Sequence, residues 1–425
     1  MIDVLKLELE KTFSRKILDR GDCEVLVQDI YEKTGAVLSY NTLRRMFGLA
    51  EYRKPRVSTL DALAVYLGFE SYQDFTKRFT EVDSWPMWEH LYVMLSEGDS
   101  QEILKYLHLR KRQQDHFSVV FTIVVRELLN RRDLSSILLI FRDPMFQFSA
   151  MPYDQVAQIG VIIGLHFRTF DAPEMEEVLL LEPNFRDLVF KIFVDYGRLN
   201  GKYGEWIDFL TQVKGLDEET RVFLNCLQIW RKLINQIPIE PKELKQLPEL
   251  DQAQHPILFG RLYGLKILCE KQQKEKKLLN ELMETRLMNQ PNYVTELLYE
   301  PAVQALVLDI DTHEQILLDN KTKINQIHNW YHLSQVAIHR VYQVKMHIRL
   351  GHFIKAKNIL DGIPYGHMRH GYREFIELFV SFFRLKIAQG LNENSQALAL
   401  DFNKRRIQLN YAILTPDYFE NYFKS

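Results

Sequence analysis

The side chains best suited to recognition chemistry lie in one short segment, residues 40–47, near the beginning of the chain. At helical spacing its apolar residues share one face: Leu43, Met46 and Phe47. Burying that face leaves four polar side chains outward near the helix start: Tyr40, Asn41, Arg44 and Arg45. Asn and Arg carry the paired donors and acceptors that match adenine and guanine edges in the major groove. The segment therefore has the side chains that a base-reading helix requires.

Basic charge is concentrated beside this segment. Residues 44–56 contain five basic residues and one acid, Glu51, whereas residues 19–32 contain five acids and one base, Arg20. The bases that follow the helix are Arg53, Lys54 and Arg56. A basic edge on an otherwise balanced domain is the pattern expected of a surface that contacts phosphates.

Short helices with clear end signals must position these residues. Serines precede three of the predicted helices: Ser39, Ser58 and Ser71. The last two begin Ser-x-x-Asp sequences, which are typical of a capping box. Glycines follow three helices, where a left-handed residue is required: Gly35, Gly48 and Gly68. We expect about five short helices in the first 80 residues.

The stretch EVLVQDIYEKTGAVLSYNTLRRMFGL, followed by VSTLDALAVYLGFESYQDF, resembles the helix-turn-helix domain of the phage-repressor and Cro class. The resemblance implies that residues 40–47 form the recognition helix and enter the major groove. It also implies base contacts from Asn41 and Arg44, with Tyr40 and Arg45 as further candidates. Arg53, Lys54 and Arg56 are then expected to contact phosphates.

We expect a linker at residues 80–86. The pattern of residues 87–425 predicts long helices and no convincing strand. Its clearest local pattern is LGHFIKAKNIL at 350–360, with Pro364 shortly after it. This region resembles tetratricopeptide-type helical repeats, although no fixed period is kept. A repressor-like domain joined to such repeats resembles bacterial peptide-sensing transcription regulators. That resemblance implies a peptide or protein partner in the repeat groove and a homodimer.

One polar stripe in the second region is a candidate partner surface. If residues 323–350 form a single helix, its apolar stripe is Leu333, Ala337, Val341, Val344 and Ile348. A second stripe, roughly 120° away, consists of His328, His332, His339, Gln343 and His347. His332, His339 and Gln343 are the predicted partner-binding residues. A simple hydrated helix face remains the alternative, and two histidines one turn apart without a third ligand do not indicate a metal site.

Composition excludes several classes of protein. Because 46% of the residues are hydrophobic, the chain can bury a large core, and a net charge of −2 gives no global preference for nucleic acid or membrane. Three widely spaced cysteines indicate neither disulfides nor zinc. No apolar run is long enough for a membrane span. The sequence contains no phosphate-binding loop, dinucleotide motif or nucleophile elbow, so we expect neither an enzyme nor a cofactor.

These patterns predict an all-α protein with a five-helix helix-turn-helix domain at 1–82 and an irregular α-solenoid of helical hairpins at 87–425. The predicted function is a cytoplasmic, dimeric regulator that binds double-stranded DNA and a partner. The alternative is a scaffold whose first domain contacts protein rather than DNA. An enzyme with a nonstandard site among the histidines is a third reading.

Overall fold

The computed structural model describes residues 2–51, 53–76, 85–113, 116–245, 247–248, 255–269, 304, 306–307, 332–368 and 370–423. These residues are helices and turns with no strand among them, so the all-α prediction is confirmed. The chain divides into two compact units, Met1–Ile103 and Leu104–Ser425. Most of the predicted linker at 80–86 lies outside the described residues.

Unit 1 begins with short helices around one apolar core. Its helices are α1 (Ile2–Phe13), α2 (Arg20–Thr34), α3 (Tyr40–Met46), α4 (Val57–Tyr66), α5 (72–76) and α6 (Trp85–Glu97), followed by α7 (Ser100–Gln113), which continues past the end of the unit. The core takes residues from α1 to α5, including Leu9, Leu26, Leu43, Leu63 and Phe75. The five helices expected before residue 80 are therefore present.

The helix ends in unit 1 follow most of the predicted signals. The three glycines have positive φ angles, as expected for left-handed residues: Gly35 (72°), Gly48 (77°) and Gly68 (90°). The Ser71 hydroxyl accepts a hydrogen bond from the N–H of Asp74 at 3.1 Å, as the capping sequence predicts. The prediction that Ser58 caps the following helix is wrong, because α4 begins at Val57 with Arg56 as its N-cap residue. Buried Pro55 lies directly before that cap, and no side-chain hydrogen bond caps α4 at Arg56.

The described residues of unit 2 form helices, many of them joined by short turns. They are α8 (Phe117–Asn130), α9 (Leu134–Arg142), α10 (Tyr153–Phe167), α11 (Pro173–Leu181), α12 (Pro183–Phe185), α13 (Lys202–Gln212), α14 (Glu218–Ile234), α15 (Pro241–Lys245), α16 (Pro256–Cys269), α17 (His332–Arg349), α18 (Phe353–Asp361), α19 (His370–Gly390), α20 (Gln396–Leu409) and α21 (Pro416–Asn421). A π-helical turn, Arg186–Phe190, continues from α12.

The helical hairpin predicted around 350–360 is present. Helix α17 ends at Arg349, Gly351 takes a φ of +71°, and α18 packs against α17 through buried Ala356. A Cβ on Gly390 at the end of α19 would lie 2.4 Å from the Phe353 ring. Small residues thus let three helices approach closely at this turn.

Distant parts of unit 2 also contact each other directly. The Tyr411 hydroxyl donates to the carbonyl of Tyr196 and accepts from the N–H of Leu199, and the Ile413 N–H donates to the Ile234 carbonyl at 3.0 Å. The ring of Tyr196 stacks on that of Tyr372 at 4.6 Å. In a sequential stack each repeat contacts only its neighbours. The C-terminal part of the chain instead returns to the middle of unit 2.

The aromatic residues at the end of the chain form part of the core. Phe419 and Tyr422 are buried against the aromatic face of α19, with ring centroids 4.8 Å (Phe382–Phe419) and 5.5 Å (Phe379–Tyr422) apart. This segment closes the unit by burying apolar surface, as we expect of a terminal capping helix.

Two glycines one turn apart let α10 approach its neighbours closely. A Cβ on Gly160 would lie 2.2 Å from the Leu188 carbonyl oxygen, and one on Gly164 would lie 2.3 Å from the Phe193 ring. We expect Gly160→Ala to lower the free energy of unfolding by about 1–3 kcal/mol, because the backbone of the π-helical turn must shift. Urea denaturation measures this. Gly366→Ala is the matched control, since a Cβ there meets nothing within 4 Å; an equal loss in both variants would contradict the prediction.

No helix in the described ranges is long and apolar enough to cross a membrane.

Candidate nucleic-acid interface

Helices α2 and α3 of unit 1 are joined by a five-residue turn, residues 35–39, and local hydrogen bonds fix both ends of α2. Asp19 caps α2 by accepting from the N–H of Asp22, and the Asp22 side chain accepts from the N–H of Asp19 in return. Gly35 ends α2 in the left-handed region and donates its N–H to the Tyr31 carbonyl. Ser39 is the N-cap residue of α3, as its position in the sequence predicts, but its side chain forms no capping hydrogen bond.

Helix α3 places its side chains largely as the apolar spacing predicts. Leu43 and Met46 are buried and Phe47 is partly buried, whereas Asn41 is exposed. The remaining three predicted base-reading residues are only partly exposed: Tyr40, Arg44 and Arg45. The face of α3 that is predicted to read bases is therefore accessible to solvent, but three of its four side chains are only partly exposed.

Asn41 and Arg44 contact each other on this face. An Nη of Arg44 donates to the Asn41 side-chain oxygen at 3.2 Å. The pair lies one helical turn apart, so both side chains point in the same direction. An arginine bidentate to guanine and an asparagine bidentate to adenine are the usual base contacts of these types. The hydrogen bond holds the two side chains together on this face of α3.

Tyr40 has a partner that the sequence did not reveal. The Arg20 guanidinium lies over its ring at 4.8 Å from the centroid, and Arg20 also pairs with Glu24 at 2.7 Å. This contact joins the beginning of α2 to the beginning of α3. No spacing rule connects residues 20 and 40, so only the tertiary structure shows it.

The basic segment after α3 is exposed. Arg53, Lys54 and Arg56 are all solvent-accessible, while Pro55 between them is buried and anchors the segment. Among the described residues no carboxylate forms an ion pair with any of the three bases. The bases thus present positive charge that the rest of unit 1 does not neutralise.

Three of the four acidic residues of α2, by contrast, form ion pairs within unit 1: Asp22, Glu24 and Asp29. Asp22 accepts from the backbone of Leu18 and lies 2.5 Å from Arg15, and the hydrogen bond from Leu18 holds the pKa of this carboxyl below its usual value. Burial would raise the pKa of Asp29, yet hydrogen bonds from Tyr66 and Lys33 leave it lowered. These carboxylates are ionised and neutralised locally, so they oppose an approaching polyanion less than their number implies.

The predicted partner residues of unit 2 lie on α17. The His332 side chain and residues 323–331 fall outside the described residues, His339 is 5% exposed, and Gln343 is partly buried. Four predicted apolar positions are buried: Ala337, Val341, Val344 and Ile348.

The exposed polar stripe expected on α17 is not found at His339. Helices α18 and α19 cover α17, and Ile338, Tyr342 and Lys345 are buried as well as the predicted stripe. Periodicity identifies one apolar face, but it cannot show how many neighbours a helix has. A partner-binding role for these residues therefore stays a prediction.

A cleft of about 730 Å³ in unit 2 was not predicted. Its rim includes Arg142, paired with Glu182 at 2.8 Å, and one wall is the Phe148 ring stacked on buried His255 at 4.7 Å. The Asn184 amide nitrogen donates to two backbone carbonyls, which fixes the wall. The lining residues come from four separate segments, so no sequence motif could have shown them.

Within the described ranges, no three His, Cys, Asp or Glu side chains are grouped closely enough to hold a metal ion.

Comparison with known proteins gives no relative from which a role could be transferred: no protein-family model, curated protein or solved structure matches the chain.

Proposed function

We propose that this chain is a sequence-specific transcription regulator that acts in the cytoplasm, binds double-stranded DNA through unit 1 and binds a peptide or protein partner through unit 2. In this proposal α2, its turn and α3 act as a helix-turn-helix. The observation that carries it is the exposed basic segment Arg53–Arg56, which pairs with no described carboxylate and follows the hydrogen-bonded Asn41–Arg44 pair in the chain. Phosphate contacts and base contacts are the two components of specific binding.

Each part of this surface has a separate role. Arg53, Lys54 and Arg56 contact phosphates and supply affinity that depends on salt. Asn41 and Arg44 read base edges, with Tyr40 and Arg45 beside them as further contacts. One such module buries little DNA surface, so we propose a homodimer on two half-sites.

Unit 2 gives the partner a concave surface. The cleft bordered by Arg142, Glu182 and His255 is lined mostly by polar and charged side chains with Phe141 and Phe148 among them, a composition suited to a polar segment of a partner. A partner bound there would shift the equilibrium between forms of the dimer in which the two α3 helices are spaced differently. The coupling expected of such a regulator is about 1–3 kcal/mol.

Arg44→Ala is expected to remove discrimination between bases. The change should cost about 1–3 kcal/mol on a DNA site selected from a random pool and little on random DNA. Fluorescence polarisation of the full chain with both DNAs measures it. Lys11→Ala is the control, because Lys11 is an exposed base on α1 that pairs with Glu8. Equal losses on both DNAs would make Arg44 a phosphate contact rather than a base reader.

A second candidate function is a scaffold in which unit 1 contacts protein. Exposed apolar side chains near α3 favour it: Val37 is 86% exposed and Val57 is 71% exposed. Apolar groups at a surface are common in protein interfaces. Polarisation at low and at moderate salt separates the two functions, because a scaffold binds DNA at neither concentration.

A further inference from the structure

The cleft of unit 2 is lined by more carboxylates than bases. The carboxylates are those of Glu182, Asp187 and Glu219, and the described lining residues include one base, Arg142. The buried ammonium group of Lys191 lies 2.6 Å from Asp187 and balances that carboxylate. Two carboxylates and one base remain, so the lining of the cleft is negative.

The ion pair at the rim of the cleft joins a buried acid to an exposed base. The Nε of Arg142 donates to a side-chain oxygen of Glu182 at 2.8 Å. The Glu182 side chain is 12% exposed, whereas that of Arg142 is 63% exposed. A carboxylate that is largely buried requires a base beside it. An exposed base contributes little to stability because water competes for its charge, so a guanidinium from another molecule can take the place of Arg142.

The second carboxylate of the lining, that of Glu219, belongs to a different segment of the chain. It accepts the backbone N–H of His255 at 2.7 Å, and one such hydrogen bond uses only part of the acceptor capacity of a carboxylate. His255 adds no positive charge, because burial holds its pKa well below the usual value. In the described part of the chain these groups are not close enough together to hold a metal ion. The spacing suits a ligand with several separate donors rather than a bare cation.

An aromatic ring forms one wall of the cleft, and hydrogen bonds fix its position. The Phe148 ring stacks on that of His255 at 4.7 Å, and the Phe148 N–H donates to the side-chain oxygen of Asn184 at 3.1 Å. A guanidinium stacks on aromatic faces and binds a carboxylate through two parallel hydrogen bonds, whereas an ammonium group lacks this planar geometry. The volume of about 730 Å³ is within the usual range of ligand sites.

We propose that this cleft binds a peptide segment of the partner through an arginine side chain. The inference rests on the proposed function, because it names the chemistry of the partner that unit 2 is proposed to bind. The guanidinium of the peptide replaces that of Arg142 on Glu182 and lies against the Phe148 ring. Glu219 accepts from a second donor of the segment. The cleft therefore selects arginine over lysine and rejects acidic segments.

Calorimetric titration of the full chain without DNA tests the chemistry of the ligand. The probe is the peptide acetyl-Gly-Arg-Gly-Arg-Gly-amide, and the same peptide with lysines or with glutamates in place of the arginines is the reference. We expect one site for the arginine peptide, an affinity about tenfold lower for the lysine peptide, and no binding of the glutamate peptide. Failure of the arginine peptide to bind, or equal affinity for the lysine peptide, would overturn the proposal.

Substitutions in the lining should change the affinity in opposite directions. Glu182→Gln and Glu219→Gln should each weaken binding of the arginine peptide by about tenfold, because a neutral amide replaces a charged acceptor. Arg142→Gln should tighten binding by about threefold to tenfold, since it removes the guanidinium that competes for Glu182. A gain in affinity cannot result from loss of folding, so this variant keeps the test decisive.

Glu218→Gln is the matched control. Glu218 precedes Glu219 on α14, but it is exposed, pairs with Arg221 and does not line the cleft. It should bind the arginine peptide as the unmodified chain does. Equal losses in Glu218→Gln and Glu219→Gln would mean that general charge attracts the peptide, and this would overturn the proposal. Weaker binding by Arg142→Gln would overturn it as well.

A parallel measurement of DNA affinity separates this inference from the proposed function. Fluorescence polarisation with the selected DNA site is repeated with each peptide present. If the arginine peptide binds in the cleft and DNA affinity does not change, the inference holds and the proposed coupling between the two units fails. If the glutamate peptide binds and changes DNA affinity, the partner-binding function holds and the inference about arginine fails.

Discussion

Replacing Arg53, Lys54 and Arg56 together by Gln is expected to flatten the dependence of DNA affinity on salt. Each phosphate contact contributes a slope of about 0.9 when the logarithm of affinity is plotted against that of salt concentration. The triple variant should therefore lose up to about 3 units of slope. All three side chains are exposed and form no ion pair with a described residue, so their removal should not destabilise unit 1.

Fluorescence polarisation at four or more salt concentrations measures this slope. The control is a triple variant of exposed bases elsewhere in the chain, Arg112→Gln, Lys214→Gln and Lys404→Gln, which has the same net charge. A similar decrease in both variants would mean that total charge, rather than this segment, attracts DNA. An unchanged slope in the variant of Arg53, Lys54 and Arg56 would mean that this segment does not contact DNA, and it would favour the scaffold function.

The local features of unit 1 could be predicted because short-range physics determines them. Gly35 and Gly48 occupy left-handed positions that side chains with a Cβ disfavour. Leu43 and Met46 are buried because helical spacing places them on the same face. Ser58 shows the limit of such signals, since α4 begins at Val57 and the serine lies inside the helix.

The features that depend on contacts between distant residues could not be predicted. Burial of His339 results from α18 and α19 covering α17 on additional sides, which no periodicity reveals. The hydrogen bond from Tyr411 to Tyr196 joins residues more than two hundred positions apart. Arg20 over Tyr40 is a smaller case of the same kind. Sequence patterns predicted faces and turns, whereas tertiary contacts determined which faces remain open.

The second large effect is a loss of stability in acid. We expect it because of His255, which is buried in the wall of the cleft. His255 is 2% exposed, and its Nδ1 accepts the Ile257 N–H at 3.3 Å, so Nε2 must carry the proton and donate to the Asp187 carbonyl. Burial holds the pKa of His255 well below its usual value, and the charge of Lys191 lowers it further. Arg261 acts in the same direction.

The charged groups around His255 leave no easy way to accept a second proton. Asp187 pairs with Lys191 at 2.6 Å, and Glu219 accepts the His255 backbone N–H at 2.7 Å. Protonation at Nδ1 would break the hydrogen bond from Ile257 and place a cation near Lys191. The neutral form is therefore strongly favoured in the folded chain.

The sign of the pH effect follows from this. Because the folded pKa is below the unfolded value of about 6.5, the unfolded chain binds more protons in acid. The contribution of neutral His255 to the free energy of unfolding is fully present above about pH 6.5 and is lost as the pH falls below that value. Between pH 7.5 and pH 5.5 this one group should lower the free energy of unfolding by about 1 kcal/mol. Lowered pKa values at His166, His347 and His370 add to the loss.

His255→Gln isolates the contribution of this residue. Glutamine retains a side-chain N–H for the Asp187 carbonyl but cannot be protonated, so the variant should lose about 1 kcal/mol less than the unmodified chain over the same pH range. Urea denaturation of unit 2 in phosphate-free buffer, followed by Trp206 and Trp230 fluorescence, measures both losses. His352→Gln, at an exposed position, is the control. If His255→Gln shows the same pH dependence as the unmodified chain, acid acts elsewhere and the cleft wall does not respond to protons.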